Sequence, residues 1–326
     1  MVWTPPKIVF ICSFPCTVVA LASLKKAHTG GTHYNGKEKL TDKVVVITGA
    51  NTGIGKETAL EMARRNAKVI MACRDMYKCE ESRQSIVLQT NNKYVYCRKC
   101  DLSSFESIRQ FVDRFKKEQS QLHILINNAG VMRCPKSTTE DGIETQLGVN
   151  HMGHFLLTNL LLDRLKASAP SRIINVSSIA HKRGEIKVKD LNSEKDYDPA
   201  KAYEQSKLAN VLFTNELARK LQGTGVTVNA VHPGIVDTDI IRHMGFYNST
   251  LSTIFLYPFA WPFIKSPKQG AQTCIYAALD PSLTHVSGTF LSSNCKEVDT
   301  APQAKDEKLA KWLWLTSEKW TRLNAT

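Results

Sequence analysis

Several features are missing from this sequence, and each absence removes a class of reading. Along 326 residues there is no break in composition and no internal repeat, so nothing divides the chain into similar units. With 42% hydrophobic residues it is long enough to bury one large α/β core. No nucleic-acid-binding module is present. The Lys and Arg residues behind the net charge of +13 are scattered without clustered aromatics, which leaves an anionic membrane surface and nucleotide phosphates as partners for that charge. The nine cysteines are odd in number and spread over predicted strands and helices. They do not make a disulfide framework, and they point to a reducing compartment. Cys97-Arg98-Lys99-Cys100 has no second ligand pair behind it, so it reads as two cysteines at the end of a strand and not as a zinc or redox site.

One stretch, residues 8–24, is long, apolar and uncharged, and it lies between Lys7 and Lys25-Lys26. It stands at the short limit of the ~17–25 residues that span a membrane. Three readings stay open. The first is an anchor over residues 1–26, with the domain that follows facing the cytosol or its topological equivalent. The second is a cleaved secretory signal, for which Ala20-Leu21-Ala22 offers small residues at a cleavage position. The third is a mitochondrial targeting sequence, which the lack of acids before Glu38 favours and the lack of arginine does not. The expected location is the endoplasmic reticulum or a mitochondrial membrane. Residues 27–40 are polar and glycine-containing, as in a tether.

Beyond residue 40 the pattern alternates. Strands are predicted near 43–48, 68–72, 94–98, 123–127, 172–177, 226–231 and 287–291, with helical periodicity between most of them. Such alternation implies a parallel sheet covered on both faces. Between the first strand and the first helix lies Thr48-Gly49-Ala50-Asn51-Thr52-Gly53-Ile54-Gly55, in which glycine permits close backbone approach and the helix start offers unpaired N–H groups to an anion.

Three further phrases follow in order: Asn127-Asn128-Ala129-Gly130, Ser177-Ser178, and Tyr203 with Lys207 one helical turn later. Together with the glycine loop they resemble the short-chain dehydrogenase/reductase family over residues 41–300. Ala72-Cys73-Arg74-Asp75 and the runs from Leu125 to Met132 and Gly148 to Phe155 are of the type found in its retinol dehydrogenase group. The resemblance implies a Rossmann-type, doubly wound α/β fold of about seven strands in the order 3-2-1-4-5-6-7. The site would lie at the carboxyl ends of those strands.

The second strand ends in Cys73-Arg74, where an enzyme using NAD would carry an acid for the ribose hydroxyls. Arg74 suits a 2′-phosphate, which an Asp at position 73 would repel, so NADP(H) is the expected coenzyme. It would be held by Gly49, Asn51, Thr52, Gly53, Ile54 and Gly55 of the loop, and by Arg74. The resemblance adds Asp101 and Leu102 on the adenine side, Asn128, and Pro233, Gly234 and Thr238 of the Pro-Gly-x-x-x-Thr segment at the nicotinamide. Tyr203 and Lys207 complete the set.

The catalytic set implied by the resemblance is Asn150, Ser178, Tyr203 and Lys207. Lys207 would favour the Tyr203 phenolate and hold the nicotinamide ribose. Ser178, chosen over Ser177, would hydrogen-bond the substrate oxygen, and Asn150 would hold a water for a proton relay. The charged insert from His181 to Ala200 would wall the site. His151 and His154 have ligand-like spacing but no placed partner, so packing or capping is expected of them and no metal.

Residues 253–264 are apolar but proline-broken, as in a substrate lid, and Ser266-Pro267 would cap the next helix. Within residues 301–326, Leu309, Trp312, Leu313, Thr316, Trp320 and Leu323 share a face of an amphipathic helix expected to pack on the domain. The expected activity is hydride transfer from NADPH to an apolar, retinal-like aldehyde. Steroid or lipid-peroxidation carbonyls are the alternative substrates, and a non-catalytic NADP-binding protein is the alternative class. Substrate identity and oligomeric state are not encoded in these motifs.

Overall fold

The computed structural model describes Ser23 and residues 33–240 and 261–324. Apart from Ser23, the apolar stretch 8–24 lies outside the described residues, as do residues 253–260 of the expected lid. Among the described residues, no helix is long and apolar enough to cross a membrane.

The elements run β1 (Val44–Thr48), α1 (Gly53–Arg64), β2 (Lys68–Cys73), α2 (Met76–Thr90), β3 (Val95–Lys99), α3 (Phe105–Glu118) and β4 (Ile124–Asn127). A short turn and a π-turn (Gly148–Met152) lead into α4 (Gly153–Leu160), then α5 (Leu162–Ala167), β5 (Ser171–Val176) and α6 (Pro199–Lys220). The rest is β6 (Val226–Val231), β7 (Ile235–Val236), β8 (Ile264–Lys265), α7 (Pro267–Leu279), β9 (Phe290–Leu291) and α8 (Glu307–Trp320). The main sheet has seven strands in the order β3-β2-β1-β4-β5-β6-β9, all parallel. Its seventh strand is shorter than the 287–291 expected, and β7 pairs with β8 in a separate ladder.

Alternate residues of each strand feed two cores, one on each face. Val44 and Val46 join Phe111, Phe155 and Leu212, whereas Val45 and Ile47 join Leu60, Met62 and Ile275. Coverage of both faces is why the central strands read as unbroken hydrophobic runs. The helix start expected at Ser266-Pro267 is realised, and α6 begins with a comparable cap. Asp198 accepts from the Ala200 and Lys201 amides with Pro199 in the first turn of α6, and Ser266 forms a capping box with Gln269 ahead of α7.

Three observations modify the sequence-based expectations. Residues 33–40 are not a free tether, because Tyr34 and Leu40 are buried, the Tyr34 amide donates to Gln272 Oε1 at 2.9 Å, and Arg65 Nη2 donates to the Gly36 carbonyl at 2.8 Å. Cys79 of α2 is disulfide-bonded to Cys97 of β3, while Cys100 stays a buried thiol, so the two halves of the C-x-x-C serve different contacts. One cross-link is not a framework, but it pairs cysteines that the spacing left separate. Finally, α8 does pack on the domain, through Ala310, Leu313, Trp314 and Ser317. Trp312, Trp320 and Leu323 are only partly buried, so the stripe is rotated from the expected one toward Trp314.

Trp314 packs edge-on against Phe155 of α4 at 4.9 Å between ring centroids and lies against Phe213 of α6 at 5.8 Å, with Lys220 over its ring. Trp314→Ala should therefore lower unfolding free energy by about 3–5 kcal/mol. Urea denaturation checks this, and a loss below about 1 kcal/mol would mean α8 is only loosely attached.

Candidate active site

The carboxyl ends of the strands surround one cleft of about 1150 Å³. Along one side runs the glycine loop, whose Gly49 and Gly53 adopt φ of 63° and 54°. A Cβ on Gly55 would stand 2.3 Å from the Gly49 carbonyl oxygen and 2.5 Å from Asn128 Nδ2, so no larger residue fits there. Thr52, the N-cap of α1, makes no side-chain bond to the first-turn amides and donates instead to Asp239 at 3.3 Å. Those amides therefore face the cleft without a side-chain cap, as an anion site requires. Asn128 Nδ2 donates to the Thr48 carbonyl at 2.8 Å, tying β4 to β1.

The residues expected on the adenosine side also converge. Arg74, Asp101 and Leu102 line the cleft together with Gly49, Asn51, Thr52, Gly53, Ile54, Gly55 and Asn128. One oxygen of Asp101 is taken by the amide and hydroxyl of Ser103 at 3.0 and 2.7 Å. Lys78, in the first turn of α2, also lines the cleft and was missed from sequence; a basic residue just beyond the end of β2 was the available signal. Lys99 Nζ donates to the Arg74 carbonyl at 2.7 Å and so steadies that corner.

At the other end lie Ser178, Tyr203 and Lys207. The two serines divide their tasks. The Ser177 hydroxyl donates to the Lys207 carbonyl at 2.8 Å and is buried, whereas Ser178 Oγ accepts from the Ala180 amide at 3.2 Å and lies beside Tyr203, whose phenolate it favours. The Lys207 ammonium lies 5.6 Å from the Tyr203 ring centroid and donates to the Val176 carbonyl at 3.1 Å. The expected lowering of the tyrosine does not appear. Burial pushes Tyr203 up to about 12 and outweighs the help of Ser178 and Arg133, while burial also pushes Lys207 down to about 8. Tyr203 thus keeps its proton at neutral pH.

Asn150 sits in the π-turn, fully buried. Its Oδ1 accepts from the Val131 amide at 2.8 Å, and its Nδ2 donates to the Val131 carbonyl and to Ser206 Oγ, each at 2.9 Å. Both amide hydrogens are used, so this side chain acts as a brace, and Oδ1 keeps a second lone pair that a water could donate to. Pro233, Gly234 (φ 94°) and Thr238, expected at the nicotinamide, line the cleft, with Thr238 against Gly53.

The remaining walls are mixed. Met132, Arg133, Ile179, Ile235 and Ile240 line the cleft, and Ile179 and Ile235 are 44% and 60% exposed. Apolar side chains left open beside a polar constellation suit an apolar ligand. The 181–200 insert walls this end as expected: Arg183 and Ala200 line the cleft, and the Tyr197 hydroxyl donates to the Cys134 carbonyl at 2.6 Å.

The model for short chain dehydrogenases matches residues 43–245. The chain belongs to the short-chain dehydrogenase family. Among its relatives in that family, human retinol dehydrogenase 13 is 52% identical over 95% of this chain and 93% of its own. Human retinol dehydrogenase 12 is 53% identical over 90% and 91%. A solved structure of an uncharacterised protein from Mycobacterium paratuberculosis superposes with a TM-score of 0.72 at 36% identity, covering 90% of this chain and 98% of that one. Short-chain dehydrogenases are oxidoreductases, and the fold and glycine loop described above are of that kind.

Proposed function

We propose that this protein reduces apolar aldehydes of the retinal type with NADPH, at a membrane. The observation that carries the reading is the Ser178–Tyr203–Lys207 group at one end of a cleft with apolar open walls, opposite a corner bearing Arg74 and Lys78. The residues fit a nicotinamide dinucleotide: the loop at Gly55 tolerates no side chain, and the first-turn amides of α1 lack a side-chain cap. When bound, that coenzyme supplies the hydride. Gly49, Asn51, Thr52, Gly53, Ile54 and Gly55 would hold its phosphates. Arg74 and Lys78 would bind a 2′-phosphate, with Asp101, Leu102 and Asn128 on the adenosine side and Pro233, Gly234 and Thr238 at the carboxamide. The names of retinol dehydrogenases 12 and 13 support retinol or retinal as substrate here.

In this reading Ser178 hydrogen-bonds the carbonyl oxygen and Tyr203 donates its proton to it, a task suited to a phenol that burial keeps protonated. Lys207 holds the nicotinamide ribose and stabilises the phenolate left behind. Asn150 keeps the helix carrying both residues in register with the turn at Val131. Residues 1–26 would form the anchor.

The decisive assay offers retinoid, steroid and medium-chain aldehydes with either coenzyme. All-trans-retinal with NADPH should give the highest kcat/KM, and equal values with NADH would sink the coenzyme assignment. Tyr203→Phe should reduce turnover more than a thousandfold while leaving NADPH affinity within about threefold; retention of a tenth of the activity would place less than ~1.4 kcal/mol of barrier on the hydroxyl and remove it from the mechanism.

Because burial brings Lys207 down to about 8, its charge is present below that pH and lost above it. Reduction should accordingly slow as pH rises through about 8, and a kcat/KM profile flat to pH 10 would contradict the role given to Lys207. Deleting residues 1–26 should release the protein from carbonate-washed membranes while preserving reduction of a short soluble aldehyde, since every residue proposed for the site lies after Thr41 and the segment at Tyr34, which is packed on the domain, is kept. A full-length form already soluble would argue instead for a cleaved leader.

A further inference from the structure

His154 lies at the start of α4, 2% exposed, one turn beyond Asn150. Its Nε2 is 2.9 Å from Thr48 Oγ1 at the end of β1, and its Nδ1 is 3.0 Å from the Asn150 carbonyl oxygen. The Thr48 oxygen accepts two backbone amides, from Asn128 at 2.9 Å and Ala129 at 3.0 Å. A hydroxyl has two lone pairs and one hydrogen, so with both pairs engaged its hydrogen must go outward. The candidates are His154 Nε2 at 2.9 Å and the Ile126 carbonyl at 3.5 Å, and the shorter contact takes it. Nε2 is therefore the acceptor and Nδ1 carries the ring proton, which it donates to Asn150. A carbonyl oxygen can only accept, so this tautomer is the one that satisfies both ends.

The bonds form a closed circuit. From the Asn128–Ala129 turn it passes through Thr48 and His154 to the Asn150 backbone, and the Asn150 side chain returns to Val131 in the same turn and reaches Ser206. Ser206 in turn donates to the Tyr203 carbonyl at 2.7 Å. We propose that His154 is a positioning residue, a neutral Nδ1-protonated imidazole that sets the distance between the coenzyme loop after β1 and the π-turn bracing Tyr203 and Lys207. Burial, which holds this histidine down to about 4, keeps it neutral across the working pH range. The circuit is independent of substrate, and only its kinetic consequence rests on the oxidoreductase reading.

The test has two arms. In the coenzyme-free protein, ¹⁵N-edited NMR of the histidines, assigned by difference with His154→Gln, should show an imidazole protonated at Nδ1 whose tautomer does not change between pH 5.5 and 8.5. An Nε2-protonated ring, or titration within that range, overturns the proposal. Kinetically, His154→Leu and Thr48→Val should each lower kcat at least tenfold with carbonyl KM within about threefold. The double variant should be no worse than the poorer single, because both break one circuit. Thr48→Ser, which keeps the hydroxyl, should recover most of the rate.

A folded His154→Leu enzyme with kcat within twofold of wild type, or fully additive losses, overturns the proposal. Should His154→Leu not fold, the Thr48→Val and Thr48→Ser pair and the NMR arm still decide. Tyr203→Phe run alongside separates the two readings: activity surviving there discards the reductase mechanism, whereas its loss beside an unimpaired His154→Leu discards only the role of His154.

Discussion

Everything at the site depends on how closely two pieces of backbone approach where β1 and β4 end. A side chain on Gly49 would meet the Ala129 backbone at 3.0 Å, and one on Gly55 would run into the Gly49 carbonyl. The contact is secured by hydrogen bonds that reach only across this distance, from Asn128 to the Thr48 carbonyl and from two turn amides to the Thr48 hydroxyl. Since both faces of the sheet are packed with apolar side chains, the strand ends are the place where main-chain polar groups remain open to a ligand. The glycines permit the approach, and the small polar residues hold it.

Most of the architecture was legible in the sequence because it rests on local rules. Runs such as Val44–Ile47 announce strands buried on both faces, and Ser266-Pro267 announces a helix start. The cleft likewise gathers residues named in advance, since they lie at strand ends that the alternation locates. What escaped depends on contacts between distant segments. Nothing in the spacing of Cys79 and Cys97 shows that α2 folds back to bring them together. The helical period of α8 fits either of two adjacent stripes, and the aromatic pocket of Phe155 and Phe213 selects the one with Trp314.

The histidine pair shows the same limit in chemical terms. Spacing places His151 and His154 near one another, but their partners are contributed by other elements: Ser317 Oγ at 2.9 Å for one, and Thr48 for the other. Likewise the Tyr203–Lys207 pair suggested a lowered tyrosine, because a one-turn separation brings a cation near. The degree of burial, which spacing does not reveal, turned the balance toward the protonated phenol and a weakened ammonium.

The way the chain enters the domain has a consequence for distance. Tyr34 is fastened to Gln272, and Arg65 grips the backbone at Gly36, so the domain's hold on its leading segment begins almost at once. An anchor ending at Lys26 would then leave only residues 27–33 as a leash, which at full extension reaches ~20–25 Å. On so short a leash a catalytic domain would ride against the bilayer instead of ranging through the solution around it. Its orientation at the surface would then be restricted, and an apolar substrate partitioned into that bilayer could pass to the cleft without a long journey through water.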